Sequence, residues 1–293
     1  PKPYVRTIPK LFEFLRAELG EEIELLHDVN ERVPPVLAIQ LAKELEPYLL
    51  FFLEDTFSTE DIGYFKHLRA QTSTPLSMGE FFNNPFEFVG LIKDRLIDFI
   101  RVHISQIGGL TPARKLAALC EFFAVRTAWH GPGDVSPVGH AANIHLDLAT
   151  PNFGIQEGRE FRQEEQDVFP GCPELRDGYY WSSDRPGLGI DLDEQACRKL
   201  DFVAVRCCAP HDMLLHQAPF DRMADHVLVA AFRHGANEPG QGRDVLVHGL
   251  FDLVEVVPDP GVGVVGGSNC IGVPGHDRID EPGEPSGSGT RAL

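Results

Sequence analysis

The stretch Leu49-Leu50-Phe51-Phe52-Leu53-Glu54 is an unbroken apolar run that ends on a carboxylate. Apolar residues without alternation mark a strand buried on both faces, the kind that parallel sheets contain. A charge at the end of such a strand is costly unless it has a partner. The arrangement recurs 26 residues earlier, where residues 23–28 close on Asp28. It recurs again 26 residues later, where Pro75-Leu76-Ser77-Met78-Gly79-Glu80 closes on Glu80. Three acids in register at three strand ends predict one shared site with a cation among them.

Outward from these strands the chain alternates helix and strand. Residues 9–19 carry an apolar stripe (Leu11, Phe12, Leu15, Leu19), with Pro9 suited to a first turn and Gly20 to the residue past the end. Further helices are predicted over 35–45, from Ser58 or Thr59 to about 70, over 85–95, over 111–122 behind Thr111-Pro112, and over 137–148 behind Ser136-Pro137. Strands are predicted over 98–103, 125–130 and 152–157. The polar strand ends are then Asp28, Glu54, Glu80, Arg101 or His103, His130 and Glu157.

Regular β-α alternation is the signature of a parallel sheet with helical crossovers. An open doubly wound sheet and a closed (β/α)8 barrel both satisfy it. Chemistry-bearing residues at the end of every strand favour the barrel, whose strand ends all face one site. Six strands do not close an eight-stranded barrel, so an incomplete barrel is expected, with one or two strands preceding Pro1. Residues 159–177 read as polar and irregular, and 178–191 as an ordered segment with tight turns. Residues 235–293 hold 13 Gly and 6 Pro, a composition that buries little and reads as poorly ordered. Segments 202–205, 227–232 and 245–257 read as isolated strands. The expected division is a partial barrel over 1–194 and an atypical tail over 195–293.

Composition narrows the partners. A formal net charge of −18 argues against nucleic acid, whose phosphates need a basic surface. No run of about 18 apolar residues is present, so no membrane span is expected. The six cysteines show no paired spacing, which points to a reducing, cytoplasmic setting. Cys120 falls in a helical apolar pattern and reads as buried and inert.

Several motifs together carry a family resemblance. They are His27-Asp28-Val29-Asn30-Glu31-Arg32, Leu53-Glu54-Asp55, Met78-Gly79-Glu80-Phe81-Phe82-Asn83, His130-Gly131-Pro132-Gly133-Asp134-Val135-Ser136-Pro137 and Pro151-Asn152-Phe153-Gly154-Ile155-Gln156-Glu157. In this order they resemble the mannonate dehydratase group of the enolase superfamily, which includes starvation-sensing and galactonate dehydratase-like proteins. The resemblance runs from about residue 3 to 194. It implies a capping domain and a (β/α)7β TIM-like barrel, of which this chain would begin after the cap and the first strands. It implies Mg2+-dependent loss of water from a sugar acid through a metal-stabilised enediolate.

By position, the resemblance assigns Asp28, Glu54 and Glu80 as Mg2+ ligands, and all-oxygen ligation suits that ion. It places Arg101, His130 and Glu157 around the sugar acid, with His130 as the acid–base candidate. Dehydrating members carry a proton-donating His two residues after the first ligand. Here that residue is Asn30, which cannot donate a proton to a leaving hydroxyl near neutral pH but can still bind substrate. The family's base, a Tyr assisted by an Arg, would precede Pro1. Two readings follow: a sugar-acid dehydratase (a lyase), or a non-catalytic member that binds or senses a sugar acid. The resemblance also implies a symmetric homo-oligomer for the longer protein. His27 and His103 read as packing residues, and Asp134 as a turn.

Overall fold

The computed structural model describes residues 1–133 and 135–199, together with the backbone of four short strands between 228 and 266. Helix α1 spans Lys2–Leu19 and buries Val5, Ile8, Phe12 and Leu15. It starts seven residues earlier than its sequence pattern predicts, and Pro9 lies inside it rather than in its first turn. A proline there removes one backbone hydrogen bond. Val5 and Ile8, both fully packed, carry the helix through it, because burial of an apolar face outweighs local propensity. The Arg16 side chain ties the end of α1 to the sheet through the carbonyls of Tyr48 and Ile23.

Five parallel strands follow in chain order. They are β1 (Ile23–Asp28), β2 (Leu53–Glu54), β3 (Leu76–Met78), β4 (Phe99–Ile100) and β5 (Arg126–Thr127). They lie side by side as β5-β4-β3-β2-β1. Between them run α2 (Pro35–Leu45), α3 (Phe65–Arg69), α4 (Pro85–Lys93) and α5 (Leu110–Phe122), and α6 (Pro137–Leu148) follows β5. The predicted sixth strand is present only as a parallel bridge from Phe153 to Thr127. This is the parallel, barrel-like arrangement expected from the sequence, and the sheet does not close on itself among the described residues.

The boundaries carry physical reasons. The run before Glu54 is mostly not strand, because α2 continues as a 3-10 turn over Glu46–Tyr48 and Leu49 takes a left-handed backbone. Only Leu53 and Glu54 then pair. Helix α5 begins at Leu110 behind Gly109 rather than at a Thr111 cap. Ser136 caps α6 as predicted, accepting a hydrogen bond from Gly139 N. Asn84 and Glu87 form a capping box on α4.

Strand alternation separates two apolar layers. Leu26, Phe52, Phe99, Ala128 and Ile155 cluster on the inner face. Leu25, Leu53, Leu76, Met78 and Ile100 face the helices within a larger core. Cys120 is fully buried in that core, and burial pushes its thiol up to about 12.

Residues 159–177, predicted irregular, contain α7 (Gln163–Val168) and the first strand of a hairpin, β6 (Glu174–Arg176) with β7 (Tyr179–Trp181). The predicted strand at 227–232 is β8 (Leu228–Arg233), and it is not isolated. It runs antiparallel along all six residues of β1, from Ile23 opposite Arg233 to Asp28 opposite Leu228. Short strands β9 (Asp244–Val245) and β10 (Val254–Glu255) fall within the predicted 245–257 region and its border. The predicted strand at 202–205, most of the Gly- and Pro-rich region and Asp134 lie outside the described residues. No described helix is long and apolar enough to cross a membrane.

Candidate functional site

Two residues beyond each inward apolar residue, alternation delivers an inward polar one. Leu26 is followed by Asp28, Phe52 by Glu54, Phe99 by Arg101, Ala128 by His130 and Ile155 by Glu157. Glu80 reaches the same end of the sheet past Gly79, whose φ of 146° favours glycine. A side chain at Gly79 would also press on the Arg101 backbone at 3.1 Å.

These residues form one connected set. Arg101, 3% exposed, donates from Nε to Glu54 Oε1 and from Nη2 to Glu157 Oε2, the latter at 2.8 Å. His130 Nε2 lies 2.9 Å from Glu80 Oε2 and 3.8 Å from Glu157 Oε2. Gly131 N donates to the same Glu157 oxygen at 2.9 Å. Asn30 bridges two acids: Nδ2 is 3.4 Å from Asp28 Oδ2 and 3.3 Å from Glu80 Oε1, and its backbone N donates to Asp28 Oδ1 at 2.7 Å. All seven residues singled out in the sequence therefore meet at one end of the sheet.

The carboxylates sit in an environment that resists charge. Burial raises the Asp28 carboxyl above its ordinary range, and Glu80 nearby adds to the effect. Burial also raises Glu54, against the opposing pull of Arg101. Glu157 is held the other way. Burial works against its charge, but Arg101 and then His130 outweigh it and keep the carboxyl below the usual range. Burial disfavours the Arg101 charge, yet its two carboxylate partners hold the guanidinium protonated. The cluster concentrates acids around a single buried cation.

Asp55 belongs to the site and the sequence reading did not single it out. It is 1% exposed, and neither carboxylate oxygen has a hydrogen-bond partner among the described residues. Glu54, Asp55 and Glu80 each offer an oxygen within 4.8 Å of the others. Asp28 stands outside that trio and joins it through Asn30. Burial and then Glu54 raise the Asp55 carboxyl well above its usual range. The signal was an acid doublet at the end of a buried strand, where a second carboxylate has no solvent to face. Asn30, Glu31 and Asp55 have φ of 50°, 56° and 41°, a conformation that costs about 1–3 kcal/mol per residue. Strain of this kind at one end of the sheet accords with a binding site.

His27 points elsewhere: its Nε2 lies 2.8 Å from Tyr4 Oη, and its ring packs edge-on against Phe12. His103 is nearer the site, with its ring 5.9 Å from that of His130 and its Nδ1 2.7 Å from Ser105 Oγ.

Comparison with known proteins bears on the same residues. The family profile described as Enolase C-terminal domain-like matches residues 3–196. A D-galactonate dehydratase family member from Salmonella enteritidis is 58% identical over 199 residues, covering 68% of this chain and 48% of the relative. Another, from Enterocloster bolteae, is 52% identical over 203 residues, covering 69% and 50%. The chain thus spans about half the length of the curated relatives it matches. A crystal structure of an enolase from Pantoea ananatis, with bound D-gluconate and magnesium, superposes with a TM-score of 0.68 at 53% identity, covering 69% of this chain and 49% of that one. A mandelate racemase/muconate lactonizing enzyme from Jannaschia superposes at 0.62 with 25% identity, covering 69% and 51%. With the parallel strand order and the polar strand ends already described, the matched profile places this chain in the enolase C-terminal domain-like family.

Proposed function

We propose that this chain forms the metal- and substrate-holding part of a Mg2+-dependent sugar-acid dehydratase, a lyase that removes water from a six-carbon acid of the mannonate or gluconate type. The observation that carries the reading is the convergence of Glu54, Asp55 and Glu80 oxygens beside the Arg101–Glu157–His130 set. The donor set fits the ion: it is all oxygen, and Asp55 has two buried oxygens without a hydrogen-bond partner among the described residues. Asp28, Glu54 and Glu80 would hold Mg2+, with Asp55 adjoining them. When bound, the cation withdraws electron density from a substrate carboxylate and so acidifies the neighbouring C–H. The D-gluconate and magnesium in the Pantoea ananatis structure and the dehydratase names of the relatives support the same assignment.

The chain's own residues have distinct parts in this reading. Arg101, held from two sides, presents a fixed positive charge to an anionic substrate. His130, paired with Glu80, exchanges a proton with a sugar hydroxyl. Glu157 orients both through Arg101 and the Gly131 amide. Asn30 donates a hydrogen bond to substrate without supplying a proton.

The amide at position 30 favours a second reading, a sugar-acid binder without turnover. Titration calorimetry with Mg2+ and then D-gluconate tests the shared part of both readings. Saturable gluconate binding that requires Mg2+ and disappears in Glu80→Gln is expected. Metal-independent binding, or none, removes both readings. Formation of a 2-keto-3-deoxy acid from a panel of six-carbon acids separates the dehydratase from the binder.

A further inference from the structure

Helix α6 buries His140, Asn143 and Asp147 in the core. The adjoining face carries Ala141, Ile144 and His145, spaced i, i+3, i+4. That face forms one wall of a cavity of about 310 Å³, within the size range of small-molecule sites. Opposite it stand Cys172, which follows α7, and the chain leaving β7, with Ser182, Ser183 and Arg185. None of the strand-end residues lines this cavity.

The walls are tied together. Backbone bonds run from Asp191 N to Pro170 O at 3.0 Å and from Asp193 N to Val168 O at 2.8 Å. His145 joins α6 to the same loop, its Nε2 3.2 Å from Leu188 O. Arg185 lies on the bare backbone of Gly171, where a β-carbon would press on Nη1 at 3.0 Å. A cavity held open this way spares a ligand the cost of ordering it. The charges on its lining select the ligand. Arg176 lies over the Trp181 ring at 5.0 Å and is matched by two bonds to Glu174, at 2.7 and 3.0 Å. The Arg185 guanidinium has no hydrogen bond or ion pair among the described residues. Ser183 Oγ accepts from Arg185 N at 3.1 Å, which leaves its O–H to donate.

We propose that this cavity binds a small organic anion, a carboxylic acid or phosphate ester with a compact apolar body. Arg185 takes the anionic group, because a planar guanidinium matches two oxygens of either chemistry. The Ser183 hydroxyl adds a donor beside it. Ile144, Pro173 and Leu188 enclose the apolar part. Glu174 and Arg176 cancel one another, so Arg185 makes the lining cationic in a chain of formal net charge −18.

Half-buried Cys172 lines the cavity and exposed Cys197 does not, so alkylation of the full chain by iodoacetamide, mapped by peptide mass spectrometry, reads occupancy. The probes are phenyl phosphate and benzoate, with benzyl alcohol as the neutral counterpart. The anions should slow alkylation of Cys172 saturably and leave Cys197 unchanged. Arg185→Gln should weaken this protection about tenfold or more. Protection by only one of the two anions supports the site and names its ligand as a phosphate ester or a carboxylic acid. No protection, equal slowing at Cys197, equal protection by benzyl alcohol, or unchanged protection in Arg185→Gln overturns the proposal. If that variant does not fold, the contrast between the anions and benzyl alcohol on the wild-type chain decides.

Discussion

The Asn30 side-chain amide lies 3.3 Å from Glu80 Oε1, so one donor without a transferable proton links the first and third strand-end acids. A histidine at this position would carry a proton into the same place. In the chain joined to the part of the Pantoea ananatis enolase that it does not cover, Asn30→His should raise sugar-acid dehydration about 10²-fold or more, measured as 2-keto-3-deoxy acid formed per minute. No gain with gluconate binding intact would show that position 30 does not supply the leaving-group proton.

Arg101 compensates Glu54 and Glu157 at once, and both partners are buried with it. Arg101→Leu should cost about 3–5 kcal/mol at pH 7, read from chemical denaturation. The loss should shrink toward pH 5. Arg101 holds the Glu157 carboxyl below its ordinary range against burial, and without the arginine that carboxylate is relieved by taking a proton as pH falls. An equal loss at both values would mean that Arg101 acts through packing alone.

Gly131 follows His130, and a β-carbon there would collide with the Glu157 carbonyl oxygen and press on Gln156 Nε2 at 3.0 Å. Gly131→Ala should lower the melting temperature, with a cost of about 1–3 kcal/mol. It should also weaken Mg2+-dependent gluconate binding, because the Glu157–Arg101 contact moves with that segment. Retained affinity would place the pocket away from this strand end.

Arg159 holds Glu165 through two hydrogen bonds of 2.6 and 2.8 Å and lowers its carboxyl from 4.5 to about 2. A depressed folded pKa stabilises the fold above the unfolded value and loses that contribution as pH falls toward about 2. The difference in melting temperature between wild type and Glu165→Gln should therefore be greatest near pH 6 and vanish on acidification. A difference independent of pH would remove the ion pair as its cause.

The acids at 28, 54 and 80 were legible because repeated β-α units place equivalent residues at equal intervals, and a buried strand ending on a carboxylate is conspicuous. Strand lengths were not legible. The run before Glu54 is apolar for packing reasons, while its backbone turns at Leu49. Asp55 is not legible in the sequence because alternation sends it off the face that carries Glu54, and its oxygens return to the cluster only in the folded chain. The stripe His140, Asn143, Asp147 looks in sequence like a solvent-facing side, and tertiary placement reverses that. The hairpin at 174–181 was hidden because its first strand alternates exposed Glu174 and Arg176 with half-buried Leu175.

No two of the strand-end residues from Asp28 to Glu157 come from the same β-α unit, so the pocket has no local fragment that could preserve it. A slip of one residue in any strand would turn its polar end away from the others. Occupancy of the pocket is thus a readout of tertiary assembly as well as of chemistry. A ligand at 100 times its dissociation constant adds about 2.7 kcal/mol to the cohesion of the entire sheet, and a mutation that loosens one distant strand should register first as lost affinity.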